Sequence, residues 1–343
     1  MEFLKNLESE YNKIKEKQDS EPLLNPENNR LVVKPIKYPK IWNAYKKHVA
    51  AFWTTEEIDF SRDYQDFCQL SDDEQYFIKN ILAFFAASDT IVNINLSERF
   101  TQEVQILEAI YFWQFQTAME NCHSDTYSLQ IETLIKDEEE RINTLNAVKN
   151  IACVQKKAEW AFKWIKSDSP FAMRLVAFAI VEGVFFSGSF CAIFWLKDVK
   201  NKMQGLISSN ELISRDEAMH TDFACLLYSM IKNRLSVDII HGMFKDAVEI
   251  EKEFIIESLP CMLLGMNSDL MIQYIQFVAD RLLVSLGYPK IWKTKCPFNF
   301  MEKISLGQKT NFFEETENSY SKAASGLDES RNFDLEQSLN DDF

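Results

Sequence analysis

Two motifs of the same form, Glu120-Asn121-Cys122-His123 and Glu217-Ala218-Met219-His220, use two of the four histidines in the chain. Each is E-x-x-H. Residues three apart on a helix share one face within a turn, so each motif presents a carboxylate oxygen and an imidazole nitrogen to one ion. A single motif of this kind is weak evidence and equally describes a surface pair; two in apolar surroundings imply two ions. Glu182 gives a sharper test, because it lies in LVAFAIVEGVFFSGSFCAIFWL and no Lys or Arg occurs between Arg174 and Lys197. An ionised carboxylate there needs a counter-charge from elsewhere in the fold. Asp89, inside ILAFFAASDTIVNINL, poses the same question. Taken alone, either acid also reads as a protonated or hydrogen-bonded core residue.

Taken together the charges balance. Asp89, Glu120, Glu182 and Glu217 bring four negative charges, two divalent ions bring four positive ones, and His123 and His220 ligate as neutral imidazoles. Helix bundles that hold two iron or manganese ions use this pattern, one acid from each of two helices and Glu-x-x-His from each of two others. Oxygen and imidazole donors suit iron or manganese, and the lack of thiolates argues against structural zinc. Tyr127, four residues beyond His123, falls on the same helical face, near enough to the ions for its phenol to be oxidised. Beside such ligands it suggests a protein radical; without them it is an ordinary core tyrosine.

The elements that must position these residues are helical. The chain has only 8 Gly and 8 Pro in 343 residues, with 46% apolar and 26% charged content, which indicates an all-α globular fold. A capping box, Ser71-Asp72-Asp73-Glu74, precedes an apolar pattern of about seven turns carrying Asp89. A second long segment, from about Gln102 to Lys136, carries Glu120, His123 and Tyr127. A third starts at Ser169-Pro170 and carries Glu182. A fourth follows Gly205, where Ser208-Ser209-Asn210-Glu211 reads as another capping box, and carries Glu217 and His220. Further helices are expected near 236–259 and 269–286, the latter ended by Gly287. Residues 1–35 read as a flexible arm, 36–313 as the helical domain, and 314–343, which is too polar to bury a face, as a flexible tail.

With 52 acidic against 37 basic residues the formal charge is −15, which disfavours a nucleic-acid partner. Seven cysteines with no C-x-x-C spacing indicate neither a disulfide framework nor a thiolate metal site. The chain opens without a signal-like segment and its charged stretches leave no expected membrane span. A cytoplasmic protein is the expectation.

The stretches FFAASDTIVNINL, AMENCHSDTYSLQIETLI, VAFAIVEGVFFSGSF and NELISRDEAMHTDFACLL resemble the four core-helix signatures of the eukaryotic-type small subunit of class I ribonucleotide reductase. The likeness continues through QYIQFVADRLL and ISLGQKTNFFE and covers roughly residues 35–315. It implies a ferritin-like bundle with additional packing helices. It assigns Asp89, Glu120 and His123 to one iron and Glu182, Glu217 and His220 to the other, with a bridging carboxylate. The implied activity is that of a di-iron centre which uses O2 to generate a radical on Tyr127 and passes it to a cysteine of the large catalytic subunit, where ribonucleoside diphosphates are reduced. Trp53, Asp216 and Tyr320 match the family's radical relay, and Phe186, Phe190 and Ile213 the apolar pocket around the radical. Asp216 also suits a hydrogen bond that orients one of the ligand histidines.

The chain departs from the family pattern at several positions. Thr90 stands where Gly is usual and Ile94 where an acid is usual. In the tail that docks on the large subunit, Leu339, Asp342 and Phe343 agree, while Gln337 and Asn340 replace an expected Phe and Asp. The resemblance implies a homodimer or a heterodimer with a paralogue. Manganese in place of iron, a di-metal oxidase acting on a small or lipid substrate, and a non-catalytic paralogue that stabilises an active partner are the rival readings.

Overall fold

Ser71 opens the first long helix in the way its sequence dictates. Its hydroxyl accepts from the Glu74 N–H, while the Glu74 carboxylate accepts from the Ser71 N–H, closing the reciprocal cap before the apolar run begins. The computed structural model describes residues 11–165, 167–258 and 267–301, and no strand occurs among the described residues. The principal helices are α1 (Pro39–Ala50), α2 (Asp72–Asn95), α3 (Leu107–Leu134), α4 (Ala152–Ile165), α5 (Phe171–Ile180), α6 (Ser187–Val199), α7 (Gln204–Ser229), α8 (Val237–Ser258) and α9 (Ser268–Ser285). The pair α2/α3 and the pair formed by α5–α6 with α7 face each other, with α3 touching α7. α1 lies along α3 and α7, α4 and α8 close over the α2 side, and α9 packs on α8 and on the α5–α6 segment. The fold is a ferritin-like bundle with additional packing helices, and residues up to Phe298 belong to one compact unit.

Two of these helices are more apolar than the sequence reading allowed. Asp72–Glu103 and Phe171–Val199 are long and apolar enough to cross a membrane by length and composition. Their most apolar windows are 71% and 94% buried inside the protein, as befits helices packed all round in a core.

Helix boundaries also differ from expectation. The second segment is broken: a short helical end at Thr101–Glu103 precedes α3, which begins at Leu107. Pro170 is the N-cap of α5 rather than its first residue. α7 begins four residues ahead of the Ser208 box. Its N-cap, Met203, is left-handed at φ 62°, and the Asp63 carboxylate accepts from the Gly205 and Leu206 N–H groups at 3.0 and 2.7 Å. Only glycine fits at 205, since a Cβ would stand 2.6 Å from the Phe60 ring and 2.7 Å from the Asp59 carbonyl. Ser209 is already inside the helix and bonds back to the carbonyls of Gly205 and Leu206.

The N-terminal stretch makes specific bonds to the bundle. Gln18 Oε1 accepts from the Phe171 N–H at the start of α5. Glu21 accepts from the Lys232 and Asn233 N–H groups, and Arg30 pairs with the buried Glu108 at the start of α3.

α5 and α6 form one path joined by a turn of π-helix, Val181–Phe185. Such a turn fits an extra residue and re-aims the side chains that follow, which is why π turns gather at functional sites. Here it carries Glu182. Lys157 of α4, 1% exposed, donates to the Phe185 carbonyl at 2.7 Å and pairs with Glu251 of α8 at 2.7 Å. Burial pushes the Lys157 ammonium down to about 8 and the Glu251 carboxyl up to about 7. Lys157→Met strands Glu251 in the core and is expected to cost about 3–5 kcal/mol, with Lys157→Met/Glu251→Leu recovering most of it. Urea unfolding checks this; an unfolding free energy within about 0.5 kcal/mol of the parent would mean that the pair holds nothing.

Candidate metal centre

Four helices bring the predicted acids and imidazoles to one place. Asp89 comes from α2, Glu120 and His123 from α3, Glu182 from the π turn and Glu217 and His220 from α7. All six are buried, none more than 3% exposed. Donor atoms of Asp89, Glu120 and His123 lie within 4.8 Å of one another, as do those of Glu120, Glu182, Glu217 and His220. Glu120 belongs to both sets. The second set therefore has one donor more than the ligand grouping drawn from resemblance, and Glu120 is the acid common to both.

Both imidazoles turn Nδ1 inward. Nδ1 of His123 lies 3.1 Å from Glu217 Oε1 and 3.4 Å from Glu120 Oε2. Nδ1 of His220 lies 3.0 Å from Glu120 Oε1 and 3.2 Å from Glu217 Oε2. Five buried atoms here, Asp89 Oδ2, Glu120 Oε2, His123 Nδ1, Glu182 Oε2 and Glu217 Oε1, make no well-aligned hydrogen bond even where an imidazole and a carboxylate stand 3.1 to 3.4 Å apart. Native interiors rarely leave such groups unpaired, and a cluster of them aimed at one another is what a cation would satisfy. The donor set fits two hard or borderline divalent ions.

The protein alone accommodates this charge poorly. Burial, then repulsion from Glu120, holds the Asp89 carboxyl well above its usual range; burial and Glu217 do the same to Glu182. Against the opposing effect of burial, His123 is held well above its usual value by Asp216 and the neighbouring glutamates, and His220 by Glu120 and Glu217. Glu217 is pulled well below its usual range despite burial, through Glu182 and the two imidazoles. Protons thus occupy positions that cations would otherwise neutralise.

The outward nitrogens of the two imidazoles meet different partners. Nε2 of His123 stands 3.1 Å from Asp216 Oδ2, which also accepts from Trp53 Nε1 at 2.8 Å. The Trp53 and His123 rings stack at 5.9 Å, and Arg215 binds the other Asp216 oxygen. Nε2 of His220 meets Nε2 of His48, from α1, at 3.2 Å.

Tyr127 is 1% exposed and its hydroxyl has no hydrogen-bond partner. Burial, then the charges of Asp89, Glu217 and Glu120, holds the phenol well above its usual value, so it stays protonated. Its ring stacks on Phe85 at 4.5 Å. Phe186 and Phe190 pack on Phe85 at 5.8 and 5.1 Å, and Ile213 is buried one turn before Glu217. Phe186 and Phe190 thus connect to the tyrosine through Phe85.

Sequence reading missed three residues. Phe85 stands four before Asp89, and Gln116 four before Glu120, so helical spacing could have found both. Gln116 Nε2 donates to Glu120 at 3.2 Å and to Glu182 at 3.1 Å. His48 left no signal, because only tertiary packing brings α1 to the centre. Tyr320 and the tail positions Gln337, Leu339, Asn340, Asp342 and Phe343 lie outside the described residues.

A four-helix core presenting two Glu-x-x-His motifs against two further acids defines the class of di-metal carboxylate proteins. Within it, residues 30–297 match the family model "Ribonucleotide reductase, small chain", and the chain belongs to that family. It is 59% identical over 312 residues to the ribonucleoside-diphosphate reductase small chain of Neurospora crassa, covering 90% of this chain and 76% of that one. It is 57% identical to the Plasmodium falciparum small chain, covering 90% and 88%. Among solved structures it resembles the Saccharomyces cerevisiae ribonucleotide reductase Rnr4 homodimer, with TM-score 0.80 and 40% identity over 90% of this chain and 99% of that one. The protein is thus a small subunit of ribonucleoside-diphosphate reductase, an oxidoreductase that acts with a large subunit.

Ions that bind only the folded centre must stabilise it, by about 2.7 kcal/mol at a hundredfold excess over the dissociation constant. Anaerobic Fe(II) or Mn(II) is expected to raise the melting temperature of the metal-free protein, and Glu182→Ala to lose most of that rise. Equal rises in both proteins would place the binding elsewhere.

Proposed function

We propose that this chain is the radical-generating subunit of the reductase, with two iron ions as the resident metals and manganese as the alternative. Asp89, Glu120 and His123 hold one ion; Glu182, Glu217 and His220 hold the other, and Glu120 reaches both. The observation that carries the reading is Glu120's membership of both donor sets beside an unpartnered Tyr127 hydroxyl. Iron held there would, with O2, supply the oxidant that takes one electron together with the phenolic proton from Tyr127.

The chain's own residues do the rest. The phenol is kept protonated by its acidic neighbours until it is oxidised. Phe85, with Phe186, Phe190 and Ile213 behind it, keeps water and other reductants from the oxidised ring. Gln116 donates to Glu120 and Glu182 and so fixes the direction of both carboxylates. Trp53, Asp216 and His123 form one hydrogen-bonded line from the centre toward the surface residue Phe52. This line is the inner part of the relay to the large subunit; Tyr320 and the C-terminal tail are its outer part.

The active small subunit is a dimer, with itself or with a paralogue; the homodimeric yeast structure supports pairing. The described cysteines form no disulfide with one another, in keeping with the reducing, cytoplasmic setting we propose.

The test is to load the metal-free protein with Fe(II), admit O2 and record the electron paramagnetic resonance spectrum. A tyrosyl signal is expected, and Tyr127→Phe is expected to abolish it while still binding iron. Iron bound without any such signal would favour a di-metal oxidase or a non-catalytic paralogue. Deletion of the residues after Leu335 is expected to leave the signal intact and to remove ribonucleotide reduction with the large subunit. Full activity in the truncated chain would dispose of tail docking.

A further inference from the structure

His48 reaches the centre from α1, a helix that carries none of the six acids and imidazoles described above. Its ring is fully buried, lies 5.0 Å from Phe112, and meets the edge of Phe115 at 4.9 Å. Those contacts fix the plane in which its Nε2 faces Nε2 of His220 at 3.2 Å. Two neutral imidazole nitrogens at that distance share one proton, so one donates and the other accepts.

The inward atom of His220 decides which. Nδ1 faces Glu120 and Glu217, and a neutral imidazole offers a lone pair there only when its proton sits on Nε2. That Nε2–H then donates outward, and Nε2 of His48 is the atom placed to accept. His123 is arranged in the same sense, but its acceptor is the Asp216 carboxylate. A charged acceptor draws the ring proton more strongly than a neutral nitrogen does, and leaves the inward nitrogen the better donor to a metal.

We infer that His48 is a positioning residue that fixes His220 in its ligating tautomer by accepting from its Nε2–H. The inference rests on the di-metal reading of the centre.

The full-length, metal-free protein titrated anaerobically with Mn(II), the free ion counted by electron paramagnetic resonance, tests this without turnover. The parent is expected to bind two ions. Gln and Asn at position 48 separate positioning from packing. A Gln amide reaches the place of Nε2, whereas an Asn amide reaches only that of Nδ1. His48→Asn is expected to weaken one step by about 10–100-fold and leave the other unchanged, and His48→Gln to restore it. Should His48→Asn not fold, His48→Met, which fills the space without an acceptor nitrogen, takes its place with the same expectation. Both steps at parental strength in His48→Asn, or equal losses in the Asn and Gln variants, would each overturn the inference and leave the di-metal reading intact. A parent that binds no Mn(II) would overturn both.

Discussion

Four carboxylates and two imidazoles share one small volume in the middle of an apolar bundle, and the recorded ion-pair partners of Glu120, Glu182 and Glu217 are the imidazoles of His123 and His220. Burying acids without bases is among the most expensive arrangements a fold can hold. The surrounding structure follows from it. The core helices must be long enough to reach the same depth from both ends, and apolar enough to need no other polar partners. The packing helices must keep water out. The raised acids and raised imidazoles are the same constraint expressed in protons: without cations, hydrogen ions take part of their place.

The arrangement also explains where the fold spends its irregular backbone. Glu182 is delivered by a π turn rather than by a regular helix. The carbonyl of Phe185 at its end finds Lys157, whose own charge is met by Glu251 and whose ammonium lies 3.4 Å from the centre of the Phe84 ring. A second buried ion pair, anchored at the end of the turn, thus holds the turn in shape. Like the donors, this pair brings together distant segments, α4 and α8, so the geometry of Glu182 depends on helices that contribute nothing to the centre directly.

Much of this was legible in the chain. The two E-x-x-H motifs are local, and helical period alone puts each pair on one face. Glu182 and Asp89 announced themselves by the apolarity around them. Phe85 and Gln116 were within reach of the same reasoning, since each lies one helical turn before a donor. Long-range terms were not legible. The cap of α7 comes from Asp63, 142 residues ahead of Gly205, so the local Ser208 box was a plausible but wrong start. The Gln18 contact at the start of α5 has the same character. His48 sits in KKHVAAFW, where a histidine near a helix end reads as a solvated residue, and nothing in its neighbours marks it as buried.

In the proposed relay, Asp216 would join positioning and transfer in one group. One of its oxygens, Oδ2, faces both Nε2 of His123 and Nε1 of Trp53. The oxygen that orients the His123 ring is therefore also the one that ties the Trp53 indole to the buried cluster. Burial would raise such a carboxyl, yet His123, Trp53 and Arg215 hold it below its usual value, so it remains an acceptor for both rings. Had the two tasks fallen to separate groups, the second carboxylate would need its own partners in the same dry interior. A shared oxygen keeps the count of buried charges to the one that Arg215, at the rim, can reach.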